Sequence, residues 1–180
     1  MNKRDELVQR SAGFLELVKD LTPGSEVEQW LNSEYDADSA LYRDLAALVR
    51  AGVKEGWAAN TEVTGPHYRR SRICDPCAQT SYFSITAVYM DSSAAAVADG
   101  GKVLRGDYHG HPYGELNMVV PLNDGAELAG PNGWSGAGWT APAPGSHHYP
   151  EIRGGAVIAL FFLPAGRISY NVQPQAQLSA

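Results

Sequence analysis

A chain of 180 residues has room for one domain, or for one domain with a small appendage. At 44% hydrophobic and 19% charged residues the composition is ordinary for a soluble globular protein, and no window approaches the run of about eighteen apolar residues that a membrane span needs. The formal net charge is −6 and the densest basic run is HYRRSR at residues 67–72, which argues against nucleic acid as a partner.

The chain opens on MNKRDELVQR, which is charged, lacks the apolar stretch of a secretory signal, and leads to the expectation of a cytoplasmic protein. Leu7, Phe14, Leu15, Val18 and Leu21 fall on one helical stripe, and Pro23-Gly24 stops it. Ser25 and Glu28 have the spacing of a capping box for a second helix, with Val27, Trp30 and Leu31 on one face. Asp38 is placed to cap a third helix running through Leu41, Leu45, Leu48 and Val49 to a stop near Gly52. The acidic residues gathered in this region mark a solvated outer face.

Near residue 60 the pattern changes to short β-rich runs punctuated by Gly, Pro, Asn and Asp. Arg69, Arg70 and Arg72 read as a solvated strand edge with salt bridges, although three arginines so close could receive a small carboxylate. Cys74 and Cys77, spaced CDPC between strand-like flanks, read as a turn carrying two free thiols, since no second cysteine pair exists to complete a zinc site. Residues 81–90, 103–111, 115–121, 155–163 and 167–172 are the candidate strands, with a small-residue loop or helical turn at 94–98. The tail QPQAQLSA is expected to fray. The fold class is therefore α+β, mainly β: a helical segment over residues 1–60 and a jelly-roll β-barrel over residues 61–175, with an interior able to hold a ligand. The helices would pack on an outer face, cover a sheet edge or lie at a subunit contact, and a homo-oligomer is expected.

Four of the five histidines lie in two short segments, YHGHPYGELNMVVP at 108–121 and PGSHHYP at 144–150. Residues two apart on a strand share a face, so His109 and His111 project together. The Pro112-Tyr113-Gly114 turn lets Glu115 return to that face, with Asn117 and Val119 following inward. The Pro144-Gly145 turn and the strand after it would bring one further imidazole across, from His147 or His148. Three neutral imidazoles and a carboxylate suit Fe(II), Mn(II), Ni(II), Zn(II) or Cu(II), with one or two positions open.

HGHPYGE resembles the core of the first motif of the cupin superfamily, G-x5-H-x-H-x3,4-E-x6-G. Its flanking glycines are out of place: Gly106 stands too near His109, and Leu122 occupies the last position. The second motif, G-x5-P-x-G-x2-H-x3-N, is approximated by Gly138, Pro144, Gly145 and His148, one residue short between Pro and Gly and with Ile152 in place of Asn. Its Gly-x-x-His step favours His148 over His147. The resemblance implies a cupin-type barrel with a divalent metal (Fe, Mn, Zn or Ni) on His109, His111, Glu115 and His148.

More narrowly, the helical N-terminus and the run GAELAGPNGWSGAGWTAPAPGSHHYPEIRGG resemble the 4-hydroxylaminobenzoate lyases of bacterial nitrobenzoate degradation. That resemblance implies conversion of a small aromatic carboxylate, 4-hydroxylaminobenzoate, with water to 3,4-dihydroxybenzoate and ammonia. Such chemistry asks for a Lewis acid or a buried acid such as Glu115, with Asn117 and Tyr113 as helpers. It also asks for ring walls, for which Trp134, Trp139 and Tyr149 are candidates, and an arginine for the carboxylate. Arg69, Arg70, Arg72, Arg105 and Arg153 compete, and strand alternation puts Arg105 first by counting back from His109. The rival expectations are a metal-dependent cupin dioxygenase acting on an aromatic substrate and a non-enzymatic barrel that binds a small ligand.

Overall fold

Three helices precede every strand. The computed structural model describes residues 1–93 and 103–174, so the readings for residues 94–98 and for the tail from 175 onward fall outside the described residues. The helices are α1 (Lys3–Val18), α2 (Ser25–Glu34) and α3 (Ala40–Glu55). Asn2 caps α1 by accepting from Asp5 N–H at 2.9 Å, and Leu7, Phe14, Leu15 and Val18 bury its apolar stripe as their spacing requires. α3 starts one residue later than expected: the cap is Ser39, whose hydroxyl accepts from Tyr42 N–H, and the helix runs past Gly52 to a left-handed Gly56.

The capping box of α2 does not form. Gly24 is the N-cap and no side chain caps it. Glu28 is buried instead, and its carboxylate accepts from Ala141 N–H at 2.9 Å and from the Asn132 side chain at 3.0 Å. The spacing was sound as a local motif, but a distant loop with an unpaired N–H offered a partner in a drier place.

Twelve strands follow among the described residues. β1 (Thr61–Gly65), β2 (Tyr68–Cys74), β3 (Phe83–Asp91), β12 (Ala156–Pro164), β6 (Leu116–Pro121) and β9 (Gly138–Thr140) form one sheet in that order, every pairing antiparallel. β4 (Val103–Arg105), β11 (Glu151–Arg153), β7 (Glu127–Gly130) and β8 (Gly133–Ser135) form a second. β5 (His109–His111) and β10 (Ser146–His148) make a separate pair.

Alternation along the large sheet divides its side chains between two cores. Leu116, Met118 and Val120 of β6, with Ile158, Leu160 and Phe162 of β12, meet the helices. Val119, Val157, Ala159 and Met90 face the other way and pack on Leu104, Leu128 and Ile152 of the second sheet. The result is three layers, helices on sheet on sheet, with a mainly β, jelly-roll-like body. Each fully buried Leu, Ile or Phe on either face contributes about 1.5–3 kcal/mol. Trp139 ties the layers together: its indole lies 5.0 Å from the Phe14 ring and donates to the Tyr35 carbonyl at 2.7 Å.

Two expected strands differ. Residues 103–111 do not run straight, because the chain breaks between β4 and β5 at Gly106, where an added Cβ would stand 2.8 Å from both Pro150 and the Tyr68 hydroxyl. Residues 167–172 form no strand. That segment instead touches the β5–β10 pair through a bridge in which Gly110 and Ser169 exchange N–H···O bonds of 2.7 and 3.0 Å.

Candidate active site

β5 and β10 pair antiparallel with His148 opposite His109 and His147 opposite Gly110. Pairs directly across a ladder point to the same face, so His148 joins His109 and His111 while His147 points away. On that far face the His147 ring lies 5.5 Å from the ring of Tyr108, whose hydroxyl hydrogen-bonds its Nδ1. Register thus separates the two histidines that spacing left open.

The turn after β5 sets the fourth group. Gly114 N–H donates to the His111 carbonyl at 3.1 Å, Gly145 N–H donates to the same carbonyl at 2.8 Å, and Glu115 N–H donates to Pro142. Gly114 sits at φ +81 with Pro23 so near that a Cβ would lie 2.7 Å away, so no other residue fits without strain. Glu115 is then delivered to the barrel interior immediately before β6.

The three imidazoles converge. Their candidate ligand atoms lie within 4.8 Å of one another, and His111 Nε2 stands 3.2 Å from His148 Nε2. Two nitrogens of neutral rings aimed at each other at that distance are suited to a shared cation. His109 Nδ1–H donates to the Asp107 carbonyl at 2.9 Å, which leaves Nε2 as the free lone pair. Burial pulls the pKa of all three histidines down, and for His111, to about 3, and His148, to about 4, the neighbouring imidazoles add to the effect. Neutral, convergent imidazoles, with the His109 tautomer fixed by a backbone carbonyl, fit a divalent metal.

Glu115 stands apart from this cluster. Its Oε2 lies 3.3 Å from His111 Nδ1, the nitrogen on the side away from His148, without hydrogen-bond alignment. Burial pushes the Glu115 carboxyl up to about 8, so at neutral pH it keeps its proton. Asn117 follows two residues on. Its amide nitrogen donates to the Thr140 hydroxyl at 3.2 Å, and its buried Oδ1 has no partner.

These groups line one cavity inside the barrel. His109, His148, Glu115 and Asn117 form its polar end, and Val88, Met90, Leu128, Ala159 and Phe161 its apolar walls. Tyr68, Arg70, Ile168 and Tyr170 complete the lining.

Other sequence candidates lie elsewhere. Arg105 belongs to the second sheet, beyond the break at Gly106, so alternation counted from His109 does not reach it; it pairs with Glu151 at 3.3 Å over the Tyr149 ring. Tyr149 packs on Tyr108, 4.7 Å away. Trp134 lies under the Arg153 guanidinium at 4.2 Å, and Trp139 is in the helix-facing core. Tyr113 is exposed on its turn beside Leu21 and Tyr82. Cys74 and Cys77 are free thiols at the end of β2 and the start of a 3-10 turn (Ala78–Thr80), and neither lines the cavity. Sequence reasoning missed Tyr68 and Tyr170, because the first looked like a strand-edge residue and the second sits in the segment expected to be a strand.

A protein-family model described as PnbB, 4-hydroxylaminobenzoate lyase, matches residues 9–170. A 4-hydroxylaminobenzoate lyase of Pseudomonas putida is 63% identical over 175 residues, 97% of this chain and 99% of that one. Another, from Nocardioides sp. (strain LMS-CY), is 59% identical over 177 residues, 98% of this chain and all of its own. Among solved structures, the polyketide cyclase RemF from Streptomyces resistomycificus superposes with a TM-score of 0.39 at 12% identity, covering 64% of this chain and 80% of that one. The DMSP lyase DddQ from Ruegeria pomeroyi DSS-3 does so at 0.30 and 15%, covering 85% and 70%. By the extent of the family match and the identity of these full-length relatives, the chain belongs to the 4-hydroxylaminobenzoate lyase family.

Proposed function

We propose that the chain converts 4-hydroxylaminobenzoate and water to 3,4-dihydroxybenzoate and ammonia inside the barrel cavity. The observation that carries this is the meeting, at one end of an apolar cavity, of the His109 and His148 imidazoles with the buried Glu115 carboxyl, whose burial favours its protonated form. An N–O bond breaks most easily when its oxygen leaves as water, and Glu115 is the group placed to supply that proton. Asn117 Oδ1, otherwise unpartnered, accepts from the substrate N–H and orients the nitrogen. Phe161, Val88 and Leu128 hold the ring and keep bulk solvent from it. Water adds at the ring carbon next to the C–N carbon, the resulting dienimine is hydrolysed with loss of ammonia, and the ring regains aromaticity. Atoms balance with no net oxidation.

His109, His111 and His148 would hold a divalent metal, with Glu115 behind His111 and outside the set of ligands. The ion, when bound, supplies Lewis-acid polarisation of an oxygen at the polar end. The reaction belongs to aromatic-compound catabolism. A homo-oligomer fits the exposed Leu17 and Trp30 on the helical layer, and sedimentation of the purified chain measures its state.

The test is stoichiometric release of ammonia and 3,4-dihydroxybenzoate from 4-hydroxylaminobenzoate under strict anaerobiosis. A dioxygenase would stop without oxygen, and a binding protein would retain the compound unchanged. Either result replaces this reading.

A further inference from the structure

Resting on that activity, we infer that Arg70, steadied by Tyr170, is the carboxylate clamp that makes the cavity select a ring bearing its carboxylate para to the reacting nitrogen. Among the described residues Arg70 is the only arginine lining the cavity. The other arginines in the competition are engaged elsewhere. Arg105 pairs with Glu151, Arg153 with Glu127 and Arg72 with Asp75. Arg69 donates to the Pro66 carbonyl and covers the Tyr89 ring. Arg70 has no acidic partner within ion-pair distance among the described residues. Its Nη1 donates to the Tyr170 hydroxyl at 2.6 Å and its guanidinium carbon lies 5.2 Å from that ring, which leaves further donors of the fork unused.

The clamp stands at the right end of the cavity. Arg70 is half-buried on β2, whereas Glu115 and Asn117 are buried. The Tyr170 ring lies between the two ends, 6.1 Å from the His109 ring on one side and bonded to Arg70 on the other. Arg70 is opposite Val88 on β3, which is opposite Ala159 on β12, and Asn117 is on the next strand over. Three strand spacings and an offset of two residues along the strand make about 16 Å between the backbones, and a long arginine and a short asparagine narrow that gap toward the length of a para-disubstituted benzene. Val88, Ala159 and Phe161 supply apolar contact in between. A carboxylate ortho or meta to the nitrogen would leave one end unmet.

The experiment compares wild type, Arg70→Gln and Arg70→Lys on 4-hydroxylaminobenzoate and on phenylhydroxylamine, which lacks the carboxylate, and measures benzoate binding by calorimetry. Charge-assisted hydrogen bonds of this kind predict that Arg70→Gln lowers the preference in kcat/KM for the carboxylate substrate about 10- to 100-fold. The loss should appear in KM, benzoate affinity should fall in parallel, and Arg70→Lys should recover part of both. Tyr170→Phe keeps the ring and loses the hydroxyl, and should raise KM by a smaller factor. Benzoate bound equally by wild type and Arg70→Gln, or both substrates losing activity alike, overturns the assignment. If the wild type releases no ammonia, the proposed activity fails, and the benzoate measurement alone still decides on the clamp.

Discussion

His147 and His148 are adjacent in sequence and opposite in direction, which makes them a controlled pair. Replacing His148 with Phe removes one of three converging nitrogens and should abolish stoichiometric metal uptake, read by elemental analysis after reconstitution. His147→Phe points to the other face, against Tyr108, and should leave metal uptake intact. Equal loss in both variants would mean that the register on β10 does not select the ligand. Glu115→Gln keeps the shape and hydrogen-bonding capacity of the side chain but cannot deliver a proton. It should lower kcat by about 10²-fold or more while KM changes little, as loss of a general acid requires. Retention of full kcat would move the proton donor elsewhere. The histidines, Glu115 and Asn117 were legible in the sequence because they sit on short strands and a Gly turn, where a period of two carries directions faithfully. Arg105 was misplaced by that same period, since Gly106 breaks the strand and resets the count. Trp139 was misplaced for another reason: an indole beside a helix layer fills a core as readily as a cavity, and composition does not tell the two apart.

Among the elements, α2 shows how a local signal yields to a tertiary one. Ser25 and Glu28 are spaced as a capping box, yet Glu28 turns to the Ala141 N–H and the Asn132 side chain. Glu28→Ala leaves that buried N–H without a partner and should cost about 1–3 kcal/mol, measured by urea unfolding. If Glu28 were only a solvated helix residue the loss would stay within about 0.5 kcal/mol. The helices themselves were legible, because stripes at helical spacing with a Pro-Gly stop are a strong signal. The second sheet was not. β4, β7, β8 and β11 are each three or four residues long, too short for alternation to stand out from turn chemistry.

At the scale of the molecule, the boundary expected at residue 60 separates helices from strands but not two cores. Phe14, Leu45 and Val49 share one apolar cluster with Met118, Ile158 and Phe162. Residues 61–180 expressed alone should therefore expose the outer face of the large sheet and fail to give a cooperative thermal transition. A well-folded, soluble fragment would show that the helices are an accessory. Tyr42 offers a gentler probe of the same interface. Its hydroxyl donates to the Val119 carbonyl, and burial pushes its pKa from 10.0 up to about 12. The folded chain holds that proton more tightly than the unfolded one does. The contribution is whole below pH 10.0 and is lost as pH rises through about 12. Tyr42→Phe should flatten the alkaline limb of a stability–pH curve in that window, and an unchanged limb would place the hydroxyl in water.

β6 and the residue before it have a consequence for how such a chain can vary over time. Glu115, Asn117 and Val119 point into the barrel, while Leu116, Met118 and Val120 point at the helices. Inserting or deleting one residue there would exchange the two sets, carrying a carboxyl into the helix-facing core and a row of aliphatics into the cavity. Side chains on this strand can be traded one at a time, but a change of its length moves every one of them, and the spacing from His111 to Asn117 is in effect a ruler that the core and the cavity both read.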